Sequence, residues 1–417
     1  MFNLKYLKHW LITAFAIETF CITYGLRFPP LIPAFSIIYF VAGIGIAVLL
    51  LYFPDAKLLP RQKLNLHSSL FYYKSAFLIV LAVIISYLSK YWLDAVAIDI
   101  HNADMLPVIN VMNKRFVSGQ WKHVYDTIPE IWDGIRPIYL PAMWMPFSVS
   151  VIFNFDIRWV TAGCLLFVFS VYFFILRPGN NRFFSFCTSI IAFMLFWWLM
   201  TENDLHGFIS VSEEGVVAVY YVMLVLALLS ENIFFTGVAT SLCMLSRYAL
   251  IGWIPAFLLY LLFHRKKLFI FIITGLIFFF GLFILPFGLA AFIRAVYLPE
   301  KYVEFTKLVW KDSPEVFPGS AGFAKFFGPD RIQLLHLTLI VSTFLAPFLF
   351  TLYCFFKRKK HAISNIPLAT LKISVVFFYS FIDVPYLYLF YTSSFVSLII
   401  VAFFTRTDHP VLSGIQA

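Results

Sequence analysis

Apolar stretches long enough to cross a bilayer recur along the whole chain. One of them, SAFLIVLAVIISYLSKYWL at 75–93, carries a single charged residue, Lys90. A helix rises 1.5 Å per residue, so about 20 apolar residues match a hydrocarbon core of about 30 Å. The runs are continuous and do not alternate with period two, which argues against a membrane β-barrel. Charged residues make up only 12% of the 417 and hydrophobic ones 62%. Soluble domains carry about a quarter charged residues, so the expectation is an all-α polytopic membrane protein.

Thirteen apolar segments stand out: 9–24, 31–53, 75–93, 138–153, 159–176, 183–200, 215–230, 232–246, 248–263, 268–290, 333–356, 366–381 and 385–404. Basic clusters mark cytoplasmic loops: Lys57/Arg61/Lys63 in the loop 54–74, Arg177/Arg182, HRKK ending at Lys267, and KRKK from Lys357 to Lys360. Acids gather elsewhere, in Asp94, Asp99, Asp104, Asp126, Glu130 and Asp133, and again in Glu202, Asp204, Glu213 and Glu214. Thirteen full crossings would put two basic clusters on the wrong side. The pattern is restored if 138–153, short and interrupted by Pro141 and Pro146, is a partial or re-entrant helix lining a cavity. The alternative, one span over 232–263, would place Arg247 at mid-membrane. The expected architecture is a single membrane domain over 1–417. It has about twelve crossings, both termini inside, interfacial helices in the first large outer loop at 94–137, and a second outer loop at 291–332.

The net charge of +10 is accounted for by those inner loops and does not imply nucleic acid. The five cysteines, Cys21, Cys164, Cys187, Cys243 and Cys354, lie in apolar runs without CxxC spacing. They read as small buried hydrophobes, with no disulfide framework or metal site implied. The basic N-terminus leads into an apolar run that contains Glu18 and no A-x-A pattern, so an uncleaved first span is expected.

The first outer loop holds the densest polar stretch, DIHNADMLPVIN at 99–110. From Asp104 on, Met105, Ile109, Met112 and Phe116 form one helical stripe, which would lie in the interface against lipid. Asp104 sits where an N-cap is favoured, with Pro107 in the tolerated first turn. Capping alone would explain Asp104, and solvation would explain Asp99. His101 lacks any ligand spacing, so no metal is expected.

Beyond it, Ser118-Gly119, Tyr125 and the segment Tyr139 to Pro141 continue the pattern. Over roughly 75–155 the chain resembles the type C membrane glycosyltransferases that use polyprenyl-phosphate sugars, the mannosyltransferase-like members in particular. In those proteins an Asp after an early span is followed by a helix, an xxGxxxY motif and a Y-x-P segment. Two departures stand out: the Asp follows the third segment rather than the first, and an adjacent acidic pair is absent, with Asp99 and Asp104 five apart. The resemblance implies transfer of a sugar from a polyprenyl-phosphate donor to an extracytoplasmic glycan or lipid acceptor, with inversion and without metal or cofactor. It also implies a carboxylate base, Asp104 first and Asp99 second.

The chemistry fits these residue types. An attacking hydroxyl must lose a proton to a positioned base, and a departing lipid phosphate needs cations. Arg115, Lys122, His123, Arg136 and Arg247 are the candidate donors, with Lys114 beside them; Glu202, Asp204 and His206, together with Glu213 and Glu214, could bind acceptor hydroxyls. A solvated or headgroup-facing role explains most of them equally well; Arg247, which interrupts an apolar stretch, is the exception. Trp121, Trp132, Trp144 and Tyr139 could stack on a sugar or form an aromatic belt. A transporter or flippase of lipid-linked saccharides is the rival class, and a polysaccharide polymerase a nearer one. Repeat symmetry with charges at mid-span would favour the transporter, and no internal repeat is visible; acids on an interfacial loop beside a partial helix favour the enzyme.

Overall fold

In a computed structural model, the protein is described over residues 4–54, 69–100, 105–131, 134–175, 182–202, 207–264, 267–296, 298–357 and 365–406. Among these residues the secondary structure is helical, apart from one isolated bridge between Ile128 and Ile135. The first three helices are α1 (Leu4–Cys21), α2 (Ile32–Leu50) and α3 (Ser69–Ala95). A capping region follows, with α4 (Met105–Val117), α5 (Pro141–Trp144) and α6 (Ser148–Phe153). The central block comprises α7 (Arg158–Ile175), α8 (Arg182–Thr201), α9 (Glu214–Leu229), α10 (Ile233–Met244), α11 (Trp253–His264), α12 (Leu268–Phe279) and α13 (Leu285–Val296). Two peripheral helices, α14 (Leu298–Asp312) and α15 (Ala324–Phe327), precede α16 (Ile332–Lys357), α17 (Ile366–Phe381) and α18 (Tyr391–Arg406).

Among the described residues six helices are long and apolar enough to cross a membrane, or seven if the bent pair 141–153 and 158–174 counts as one span. Several present large apolar side chains outward, Ile79 and Tyr87 on α3 and Phe269 and Ile277 on α12 among them. Continuous surfaces of that kind are incompatible with water and suit lipid. α18 is the opposite case, 94% buried along its apolar window, and forms the axis of the main core with α1, α7, α8, α9 and α17.

Cross-contacts fix the directions of the helices. Asn365, before α17, donates from Nδ2 to the carbonyls of Leu50 and Phe53 at the end of α2, at 3.1 and 3.0 Å. Phe404 at the end of α18 packs on Phe53. At the other end, Trp198 of α8 donates to Tyr391 OH (2.7 Å), and Arg158 at the start of α7 reaches the carbonyls of Leu93 and Val96 after α3. The ends of α1, α3, α8, α10 and α17 and the starts of α2, α7, α9, α11, α16 and α18 therefore gather at one end of the bundle, called here the arginine end. Gly252 lets α11 begin against α16, since a Cβ there would stand 2.0 Å from the Thr343 carbonyl oxygen.

The segment expected to be a partial helix is broken as its prolines require. α5 and α6 are separated by a tight turn at Met145–Phe147, and the pair bends 116° into α7. Pro146 has no N–H to offer the Ala142 carbonyl four residues back. Tyr220 of α9 donates its hydroxyl to that oxygen instead, at 2.9 Å, while the Ala142 N–H reaches the Leu245 carbonyl at 3.0 Å. Asn113 of α4 supplies the Trp144 carbonyl at 3.0 Å.

The apolar stripe of α4 overturns one expectation. Ile109 and Met112 are fully buried in protein rather than turned to lipid, packed with Tyr125, Trp144, Phe283 and Phe287. The wall they meet comes from a π-helical turn at Phe280–Ile284 and a kink at Gly288, where φ is 81°. These irregularities around Pro286 re-aim the aromatic face of α12–α13 toward α4, so the stripe gains a protein partner.

Replacing Tyr220 by Phe should leave the Ala142 carbonyl without its donor and cost about 1–3 kcal/mol. Thermal unfolding of the detergent-solubilised protein should show a lowered Tm, whereas the exposed Tyr87→Phe should not. An unchanged Tm for Tyr220→Phe would mean that the break is satisfied some other way.

Candidate functional site

Arg247 lies between α10 and α11 in extended conformation (φ −148°, ψ 149°), just before a single 3-10 turn at Tyr248–Leu250. The interruption expected from sequence is thus real: the apolar stretch is two helices of 12 residues with the arginine at their junction. Its guanidinium is held by two consecutive carboxylates. Nε donates to Glu214 Oε2 at 2.7 Å and Nη2 to Glu213 Oε1 at 2.5 Å. Both glutamate side chains are fully buried and the arginine is 17% exposed.

The backbone that presents the glutamates is itself anchored. Ser212 Oγ accepts from the Glu214 N–H (2.9 Å), and the Ser212 carbonyl accepts from Thr161 Oγ1 of α7 (2.9 Å). Glu214 then serves as the first residue of α9, where a carboxylate complements the helix dipole. Its second oxygen, Oε1, accepts from Thr392 of α18 at 2.9 Å and from Tyr379 of α17 at 3.3 Å. One guanidinium against two carboxylates leaves the cluster a formal negative charge.

Phenols and a second acid surround this cluster. Tyr302 of α14 interacts electrostatically with Arg247, Glu213 and Asp383; burial raises its ionisation above the ordinary tyrosine range, against the pull of Arg247. Tyr388, just before α18, donates its hydroxyl to Met105 Sδ at 3.4 Å. Met105 is the first residue of α4. Asp383, after α17, lies 2.7 Å from His336 Nδ1 in α16.

The other sequence candidates divide as follows. Asp104, Asp204 and His206, with His101 and Trp132, lie outside the described residues. Asp99 is exposed, just beyond α3. Arg115 donates to the carbonyls of His123, Asp126 and Thr127 (3.1, 2.7 and 3.1 Å) and so closes the loop after α4. His123 pairs with Asp126 at 2.7 Å, and Arg136 reaches Thr127 Oγ1 at 3.4 Å. Lys122 is exposed beside them. Glu202 pairs with Arg27, which also lies 5.0 Å from the Trp198 ring centre. Of the candidates, then, Arg247 joins the cluster with Glu213 and Glu214; Arg115, Lys122, His123 and Arg136 form a separate group on the loop.

Sequence reasoning missed the rest of the cluster, Tyr302, Tyr379, Tyr388, Thr392, His336 and Asp383. It also missed a second buried network in the bundle. Lys372 of α17 pairs with Glu18 of α1, both side chains fully buried. Ser393 and Ser397 of α18 donate to the two Glu18 oxygens at 2.8 and 2.6 Å. A signal existed: Glu18 and Lys372 are ionisable residues inside apolar segments, and opposite charges in such places pair. Thr392 and Ser393, adjacent in α18, tie one network to the other.

Compared with protein-family models, with curated proteins and with solved structures, the chain matches none.

Arg247→Met should destabilise the protein by about 3–5 kcal/mol, because two buried carboxylates lose their counter-charge. Adding Glu213→Gln and Glu214→Gln to that variant should restore much of the loss. Equal stability of wild type and Arg247→Met in thermal unfolding would show that the guanidinium does not hold this end of the bundle together.

Proposed function

We propose that the protein is an integral membrane glycosyltransferase. It would move a sugar from a polyprenyl-phosphate donor to an extracytoplasmic acceptor, with the arginine end facing outward. In this reading α1, α2, α3, α7 to α12, α16, α17 and α18 make twelve crossings, the shorter ones spanning where the bundle thins the membrane, and α5–α6 is a re-entrant element. The basic clusters at 57–63, 177–182, 264–267 and 357–360 then share the inner side.

The observation that carries the reading is the meeting of two parts at the arginine end. The broken helix and α4, to whose start Asp104 is attached, adjoin a cluster of carboxylates and phenols through the contact of Met105 with Tyr388. Carboxylates and phenols bind hydroxyls, and such a set suits a polyhydroxylated substrate better than an apolar one. Asp104 is proposed as the base that takes the acceptor proton, with Asp99 as second choice. Lys122 and Arg136, exposed on the loop, are proposed to meet the lipid phosphate together with His123. Arg247 reaches a phosphate only if a glutamate releases it, so its main task is to neutralise Glu213 and Glu214. Glu202, Asp204 and His206 remain proposed contacts of the acceptor.

One observation favours the rival class. The Glu18–Lys372 pair puts charge inside the bundle, the pattern that a transporter or flippase of lipid-linked saccharides would use.

In proteoliposomes given a polyprenyl-phosphate hexose and a glycan acceptor, Asp104→Asn should lower transfer by about a hundredfold or more, with insertion and folding retained. Loss in Asp99→Asn with full activity in Asp104→Asn would move the base to Asp99. Retained transfer in both would end the carboxylate mechanism. Translocation of the lipid-linked sugar without transfer would establish the flippase instead.

A further inference from the structure

His336 and Asp383 come from different elements and meet at the arginine end. Asp383 follows α17, and His336 lies in the opening turns of α16. Asp383 Oδ2 stands 2.7 Å from His336 Nδ1, and their side chains are 4% and 17% exposed. A carboxylate against Nδ1 fixes the tautomer. The proton between the two groups sits on Nδ1, which leaves Nε2 as the ring atom for a ligand, an acceptor in the neutral ring and a donor in the imidazolium.

The second Asp383 oxygen is the informative atom. Oδ1 is buried, and no described residue donates to it. Buried carboxylate oxygens are ordinarily satisfied, since leaving one without a donor is costly. The pair therefore offers an acceptor, Asp383 Oδ1, and a ring nitrogen, His336 Nε2, in a place that rewards a ligand bringing hydroxyl groups, which both donate and accept. Tyr302 interacts electrostatically with Asp383 as well as with Arg247 and Glu213. Tyr386 and Tyr388 stack nearly parallel close by in sequence, their ring centres 5.6 Å apart. A metal ion is a poorer occupant, because among the described residues no three His, Cys, Asp or Glu side chains gather to hold one.

We infer that His336 and Asp383 form a hydroxyl-binding subsite for a saccharide, with Asp383 Oδ1 accepting from one sugar hydroxyl and His336 Nε2 bonding another. The subsite stands on its own geometry; under the transfer reading it holds the acceptor sugar and leaves the base to the first outer loop.

The test is direct binding, separate from any transfer assay. Full-length protein in nanodiscs is titrated with free D-mannose, D-glucose and D-galactose and with their monodeoxy analogues, read by saturation-transfer NMR. At least one hexose should bind the wild type, and Asp383→Asn and His336→Gln should each weaken it roughly tenfold, the worth of one hydrogen bond. On the wild-type protein the analogue lacking the recognised hydroxyl should show the same weakening, a readout that does not depend on the variants folding. Absence of hexose binding to wild type, equal binding by all monodeoxy analogues, or undiminished binding by two folded variants would each overturn the subsite. Binding that follows these expectations in a protein with no transfer activity keeps the subsite and removes the transferase. Transfer whose acceptor KM is unmoved in both variants does the reverse.

Discussion

A guanidinium taken out of water needs a counter-charge close at hand, and at Arg247 that requirement organises one whole end of the bundle. Two consecutive glutamates meet it, and because Glu214 also opens α9, the ion pair sets where that helix starts. The remaining oxygen of Glu214 draws in α17 through Tyr379 and α18 through Thr392. A charge in low dielectric thus ties four otherwise separate parts of the chain. Replacing such an ion set by apolar residues is often no worse for stability, whereas removing one partner alone leaves a buried charge uncompensated.

The same economy of polar groups explains the capping region. Prolines in α5–α6 leave carbonyls that lipid would not satisfy. A tyrosine from α9 and an asparagine from α4 fill them. These bonds, with the aromatic wall raised by the π-helical turn at Phe280–Ile284, hold α4 across the bundle with its first residue against Tyr388. The position of α4 relative to the acidic cluster therefore follows from how a broken helix is repaired.

Much of the fold was legible because lipid imposes a coarse rule. Runs of apolar residues marked the helices, Pro141 and Pro146 marked the partial one, and the charge of Arg247 marked a junction between two short helices. The direction of the α4 stripe was not legible. Its period says which residues share a face, and nothing in it says whether lipid or protein covers that face. Partners across long sequence separations were equally hidden. Glu213 and Glu214 looked like loop acids until α9 and α10 folded back on each other. Asp383 and His336 are 47 residues apart and had no spacing to betray them.

The Glu18–Lys372 pair has a consequence for the order of synthesis. Its members lie 354 residues apart, in the first helix and the last but one. The serines that complete the set arrive later still, on α18. The Glu18 carboxylate is therefore made long before Lys372, and it has no counter-charge from this pair until α17 has been synthesised. The buried set around Glu18 closes only once α17 and α18 have both been made.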